Sequence, residues 1–340
     1  MILNFEPSLK PTKSRKQEFL VLAGDIGGTK TNLALFKDSG DAITPVIECS
    51  YRTADFTSIE ELLHSFLKGI PEPNKICLAV AGPVLNGHAK LSNIKWEIDI
   101  EQLSNHFKKG FSIINDLEAT AYGLAMLNKD ETVVIHQGKN QISGNAAVIA
   151  PGTGLGEAGI YWDGNYYHPF ATEGGHADFA ARNALDFELY LYLQKQFGHV
   201  SWERLLSGPG IIQIYQFLIH EVKREESLFI MEKFINGYDA SIISQNVKKC
   251  MLCKETMELF IRYFAYECAN LVLKHNATGG LFIGGGIAPS ILNLLKEYDF
   301  NRYFCQSGRL NDLIEHVTVR VILNSKAALL GAAWFAVNRH

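Results

Sequence analysis

The stretch LAGDIGGTKTNLALF, residues 22–36, is an apolar run, a glycine-rich turn and a second apolar run, and IAPGTGLGEAGIYW, residues 149–162, repeats the pattern. Short buried runs bounded by turn residues read as strands, so each stretch predicts a strand–turn–strand unit. The two lie about 125 residues apart, a spacing that corresponds to a whole domain and not to a solenoid repeat. An internal duplication of an α/β domain is the economical reading.

Working outward supports it. SIEELLHSFLKG, residues 58–69, has Ser58 and Glu61 at capping-box spacing and Leu62, Leu63, Phe66 and Leu67 on one face, the pattern of an amphipathic helix. KICLAVAGPV (75–84) reads as a buried strand and IEQLSNHFKK (100–109) as a short helix. Helical pattern fills residues 183–275, a third glycine turn follows in GGLFIGGGIAP (279–289), and the small-residue helix KAALLGAAWFAV (326–337) closes the chain. These alternations predict two related α/β layers, the second interrupted by a helical insertion.

The 340 residues suffice for two cores, and a hydrophobic content of 47% with 20% charged residues is that of an ordinary globular chain. A net charge of −4 gives no electrostatic case for a nucleic-acid partner. The apolar runs are too short or too charged to span a bilayer; the most helical, ETMELFIRYFAYECANLVLKH, carries Glu258, Arg262 and Glu267. The six cysteines are scattered as thiols are in a reducing cytoplasm. Cys250 and Cys253 of KCMLCK lack two further ligands at zinc spacing and read as packing at a helix start. Residues 1–18, with two prolines and no apolar signal-peptide core, predict a flexible extension.

A tight turn with several glycines lets backbone N–H groups approach an anion. Gly27, Gly28, Thr29 and Lys30 offer this in the first unit, and Gly152, Thr153 and Gly154 in the second. Neither is a Walker A loop or a Rossmann fingerprint, because a strand and not a helix follows each. Either turn alone reads as an ordinary hairpin; two at equivalent places can hold a polyphosphate. Asp25, ending the first strand, is then placed to position Mg²⁺, directly or through water.

In FSIINDLEATAYG, residues 111–123, an apolar strand stops on Asn115 and Asp116 and resumes as a helix. Asp116 either caps that helix or has chemistry to do. A helix N-terminus favours an ionised carboxylate, so the two are compatible.

Together DIGGT, PGTGLG and GGLFIGGGI resemble the actin-like sugar kinase superfamily, and within it the chain is similar to the bacterial-type glucokinases. The likeness covers residues 19–340 and includes LSNIKW, INDLEA, EGGHADF, GHVSWERLLSGPG and AALLGAA. It implies a two-lobed, ribonuclease H-like ATPase fold with sugar between the lobes and ATP at the mouth. The implied small domain is 19–116 with 325–340, and the large one 117–324. It implies ATP-dependent phosphorylation of the glucose 6-hydroxyl with Mg²⁺, in the cytoplasm, by a homodimer that needs neither nucleic acid nor membrane.

Carried over by position, Asp116 becomes the catalytic base, and Asn115, Glu173, His176 and Glu203 the sugar ligands. Gly27, Gly28 and Thr29 become the first phosphate turn, Gly152, Thr153 and Gly154 the second, and Gly285 and Gly286 the approach to adenosine. Chemistry agrees, since carboxylates and an amide read sugar hydroxyls as both donors and acceptors.

Lys30 departs from the smaller polar residue usual in that branch and resembles the repressor/ORF/kinase branch. The cysteine-rich zinc motif of that second branch is missing from EGGHADFAARN. A kinase for another hexose or an N-acyl hexosamine fits the same motifs, as do donors such as polyphosphate or ADP. A sugar-responsive regulator needs a DNA-reading module larger than residues 1–18. An ATP-dependent switch has no use for clustered sugar-reading groups. Glu157, inside GLGEAG, is an extra acid to which no reading gives a task.

Overall fold

The computed structural model describes Leu3, residues 19–91, Ile94 and residues 96–140 and 142–339. The extension expected over 1–18 therefore lies, Leu3 apart, outside the described residues. The chain divides into two units, Met1–Thr132 with Ile160–Ala171 and Asn324–His340, and Val133–Gly159 with Thr172–Leu323.

In the first unit β1 (Phe19–Ile26) turns into β2 (Lys30–Asp38), which pairs with β3 (Ile43–Arg52). Helix α1 (Ile59–Leu67) leads to β4 (Lys75–Val80). A small sheet of β5 (Val84–Leu85), β6 (His88–Lys90) and β7 (Glu97–Asp99) precedes α2 (Ile100–Phe107), β8 (Gly110–Asn115) and α3 (Asp116–Gly123). The main sheet runs β3-β2-β1-β4-β8, with β1, β4 and β8 parallel. Its central strand β1 is buried on both faces, as a parallel strand covered by helices must be. Leu22, Leu33 and Leu35 face a core completed by Leu62, Leu63 and Phe66 of α1. The alternate positions Ala23 and Ala34 are small, and the Ala-rich C-terminal helix Ala327–Asn338 packs on β1, β2 and β4.

That C-terminal helix also packs closely on α3. A Cβ on Gly331 would lie 1.7 Å from the Ala119 carbonyl oxygen, and one on Gly123 would lie 2.1 Å from that of Ala327. Tyr122 stacks on Trp334 with centroids 5.2 Å apart. Both α3 and the C-terminal helix fall in the first unit. Gly331→Ala is expected to destabilise the protein by about 2 kcal/mol net, overpacking of up to about 3 kcal/mol outweighing about 1 kcal/mol of helix propensity. An unchanged urea midpoint would contradict this contact.

A second sheet repeats the plan. It runs β12-β11-β10-β13-β14-β9, comprising β9 (Thr132–His136), β10 (Ala146–Pro151), β11 (Leu155–Trp162), β12 (Tyr167–Thr172), β13 (Gly280–Ile283) and β14 (Val319–Ile322). The five strands from β12 to β14 have the order of the first sheet, and β10, β13 and β14 are parallel. Between β12 and β13, where the first unit has α1, come α4 (Ala184–Phe197), α5 (Gly208–His220) and the long helix Met251–His275. This insertion supplies much of the core, including Trp202, Tyr215, Phe217, Phe260, Tyr263 and Phe264. Cys250 caps the long helix, its Sγ accepting the Cys253 N–H at 3.4 Å.

Candidate active site

In the first unit, Ile26 pairs with Val80 and Val80 with Asn115, so β1, β4 and β8 end along one edge. The carboxyl ends of parallel strands are where open α/β sheets bind ligands. Beyond β1 the Gly27 N–H donates to the Lys30 carbonyl at 3.1 Å, while the Gly28 and Thr29 N–H groups donate to no acceptor among the described residues. Two adjacent unclaimed N–H groups in a tight turn form a cradle for an anion. Thr53 braces it: its hydroxyl donates to the Gly27 carbonyl at 2.8 Å and its N–H to that of Thr29 at 3.1 Å. Thr31 Oγ1 lies 3.0 Å from the same hydroxyl, and both threonines are buried.

Asp25 faces Asn32 across the hairpin, and Asn32 Nδ2 donates to its Oδ2 at 3.3 Å. Burial raises the Asp25 pKa, against the lowering effects of Asn32 and Lys30. A cation beside it would reverse that balance.

At the end of β8 the helix cap is Asn115 and not Asp116. Asn115 Oδ1 accepts the N–H groups of Leu117 (2.9 Å) and Glu118 (3.2 Å), and its Nδ2 donates to the Gly82 carbonyl at 3.1 Å. Asp116 occupies the first helical position, half-buried, with Oδ1 also 2.9 Å from the Leu117 N–H. Capping therefore does not depend on the Asp116 carboxylate. Two residues on, burial pushes Glu118 up to about 7 against the lowering influence of the Asn115 backbone contact and Arg339.

In the second unit the Gly152 N–H donates to the Gly154 carbonyl at 2.8 Å, and the Thr153 and Gly154 N–H groups donate to no acceptor among the described residues. The cradle is the counterpart of the first. Glu203 fastens it: Oε2 accepts the Leu155 N–H at 2.9 Å, and Gly154 leaves room for that oxygen, which a Cβ would meet at 2.5 Å. Gly208, opening α5, donates its N–H to the Gly152 carbonyl at 2.9 Å. Behind this turn Gly285 has φ +75°, and a Cβ there would lie 2.4 Å from the Pro151 carbonyl oxygen. Only glycine meets both demands without strain. Gly286 beside it has open space where a side chain would be.

Glu173 precedes the short 3₁₀ turn Gly174–His176, and both Glu173 and His176 are exposed. The Trp202 N–H donates to the Ala177 carbonyl at 3.0 Å, tying this turn to the segment that carries Glu203. The residues singled out in the sequence thus fall into two sets. Asp25, Gly27–Lys30, Asn115 and Asp116 lie in the first unit, and Gly152–Gly154, Glu173, His176, Glu203, Gly285 and Gly286 in the second.

Several positioning residues escaped the sequence reading. Asn32 was within reach of it, because a hairpin turning at Gly28–Thr29 makes residues 25 and 32 partners. Thr53 and Gly82 come from distant loops and carry no local signal.

Residues 22–339 match the family model described as Glucokinase. A glucokinase of Trichormus variabilis (strain ATCC 29413 / PCC 7937) is 40% identical over 334 residues, covering 92% of this chain and 98% of that protein. A glucokinase of Synechocystis sp. (strain ATCC 27184 / PCC 6803 / Kazusa) is 35% identical over 341 residues, covering 92% and 96%. The crystal structure of a glucokinase from an Antarctic psychrotroph superposes with a TM-score of 0.81 at 32% identity, covering 94% of this chain and 99% of that one. With the duplicated strand order, these likenesses identify the actin-like ATPase fold. On a match that runs from β1 to the C-terminal helix, the chain belongs to the glucokinase family.

Proposed function

We propose that the chain transfers the γ-phosphoryl group of ATP to the 6-hydroxyl of D-glucose, giving glucose 6-phosphate and ADP. The observation that carries the reading is the family match over residues 22–339. The two glycine cradles, each with two N–H groups unclaimed among the described residues, suit the phosphates of the donor.

In this reading Asp116 orients the 6-hydroxyl and accepts its proton as the oxygen attacks the γ-phosphorus in line. The transition state of such a transfer is loose, so the protein mainly positions groups and neutralises charge. Asn115 spends Oδ1 on the helix and one Nδ2 hydrogen on Gly82, leaving one N–H for a sugar hydroxyl. Glu173, His176 and the remaining oxygen of Glu203 read the other hydroxyls. Gly28, Thr29, Thr153 and Gly154 donate to phosphate oxygens, with Lys30 adding positive charge, and Gly285 and Gly286 let the backbone approach adenosine. Asp25 would hold Mg²⁺, directly or through water, and the ion would supply charge neutralisation on the donor phosphates.

The reading includes a homodimer acting in the cytoplasm, as the family resemblance implies, and light scattering of the purified protein reads the subunit number. Among the described residues no helix is long and apolar enough to cross a membrane.

Glucose and 6-deoxyglucose separate binding from chemistry. Both are expected to bind, with ADP release above the sugar-free rate only for glucose. Equal release with 6-deoxyglucose would overturn the assignment of the 6-hydroxyl. Glu173→Gln is expected to weaken glucose binding about 10- to 150-fold in calorimetry, the equivalent of one hydrogen bond to a charged group at about 1.5–3 kcal/mol. Unchanged affinity would remove Glu173 from the sugar ligands.

A further inference from the structure

Beneath the Glu173–His176 turn lies a buried pair of acids that the reaction does not use. Glu157 on β11 is 1% exposed and Glu267 on the long helix 0%. The two carboxyl groups interact with each other electrostatically. Glu267 is also held by Asn270 Nδ2 and Lys274 Nζ, each at 2.8 Å. Among the described residues Glu157 Oε1 has no hydrogen-bond partner, and it is buried. Its Oε2 stands where a side chain on Gly174 would be, 2.0 Å from an added Cβ. The Glu157 carbonyl accepts the Thr172 hydroxyl at 2.9 Å, and that hydroxyl accepts the Gly174 N–H at 3.3 Å. Thus both the backbone and the carboxyl of Glu157 bear on the turn that carries Glu173 and His176.

We propose that Glu157, buried beside Glu267, is a positioning residue for the sugar-reading turn, the floor on which Gly174 rests. The inference deepens the reading of Glu173 and His176 as sugar ligands and rests on it. Two carboxylates this close and this buried do not both ionise, so the pair shares one proton. Lys274 and Asn270 favour charge on Glu267, which leaves the proton on Glu157. Burial, then the neighbouring Glu267, push Glu157 up to about 8. A neutral carboxyl also explains how Oε1 can stay unpartnered at modest cost.

The other titratable groups around the pair do not take over this role. Lys274 is half-exposed, and Cys268, raised well above its ordinary range by burial and then by the two acids, stays a thiol. Arg182 interacts with Glu267 through its charge, and Glu173 and His176 face solvent from the turn. Loss of the Glu157 proton puts two adjacent buried charges under Gly174, and the turn shifts to relieve them.

The test is the glucose KM of the full chain with Mg-ATP at pH 7 and pH 9, for the wild type and Glu157→Gln. The amide keeps a donor toward Glu267 at every pH. If only the protonated form presents the turn, the competent fraction at pH 9 is about one in eleven, and the wild-type KM rises about tenfold. E157Q is expected to hold its KM flat between the two, and subtracting its profile removes other titrations such as that of Glu118. Glu157→Ala, which removes the floor, raises KM already at pH 7, and the glutamine rescues it. Wild-type and E157Q profiles that superimpose overturn the proposal.

Glu173→Gln keeps the two failures apart. If it leaves glucose affinity unchanged, the sugar role of the turn falls and this inference with it. If it weakens glucose while E157Q tracks the wild type, the inference falls alone.

Melting temperature gives a readout independent of turnover. A buried acid whose pKa is raised on folding supports the fold below its unfolded value and loses that support as pH climbs through the folded one. The Tm of E157Q relative to wild type is therefore expected to increase from pH 5 to pH 8; a constant difference overturns the shared proton.

Discussion

Asp116→Asn is expected to lower turnover by about 10²–10⁴-fold, or about 3–5 kcal/mol of transition-state stabilisation, while glucose still binds. The substitution is well isolated by the structure. Asn115 and not Asp116 caps α3, and an asparagine at 116 can still accept the Leu117 N–H through its amide oxygen. The helix also stays anchored through Tyr122 on Trp334 and through the backbone contact at Gly331. A loss of rate with an unchanged melting temperature therefore reports the missing base and not a frayed helix. Calorimetry with glucose and single-turnover measurement of the variant read the two halves separately. Near-normal turnover would remove Asp116 from the chemistry.

Asp25→Asn is expected to lower kcat/KM for Mg-ATP by about 10²–10³-fold, the scale on which one preorganised electrostatic contact to a reacting group acts. Glucose affinity measured without nucleotide should not change. The amide would face Asn32 across the hairpin where the carboxylate stood, so the turn keeps its shape while the charge is lost. Excess Mg²⁺ should recover part of the activity. The wild type should also bind Mg-ATP more tightly as pH rises through the raised Asp25 pKa, because the metal competes with the proton. A variant with wild-type dependence on Mg²⁺ and pH would place the metal elsewhere.

The duplicated architecture was legible because glycine turns between buried strands are local signals. LAGDIGGTKTNLALF and IAPGTGLGEAGIYW became β1–β2 and β10–β11, and the same strand order grew around each. The strand–helix junction at Asn115–Asp116 was equally legible, although the cap considered there was Asp116 and the structure gives it to Asn115. Contacts that cross long sequence distances were not. The close packing of α3 on the C-terminal helix depends on Gly123 and Gly331, which carry no local signal of it. Glu203 entered on resemblance alone. The fold gives it a task 48 positions away, on the Leu155 N–H beside the second cradle. Glu157 had no task in the sequence because its partner, Glu267, belongs to the helical insertion, and only folding brings that helix beneath the EGGH turn.

The central claim is that this chain is an ATP-dependent glucose kinase. A coupled ADP-release assay of the purified protein with Mg-ATP addresses it most directly, run against glucose, mannose, fructose, N-acetylglucosamine, N-acetylmannosamine and no sugar. The account predicts turnover confined largely to glucose, with a sugar-free rate near the background. Turnover led by another hexose would contradict the reading of Glu173, His176 and Glu203 as glucose ligands, and no sugar-dependent turnover at all would contradict the claim itself.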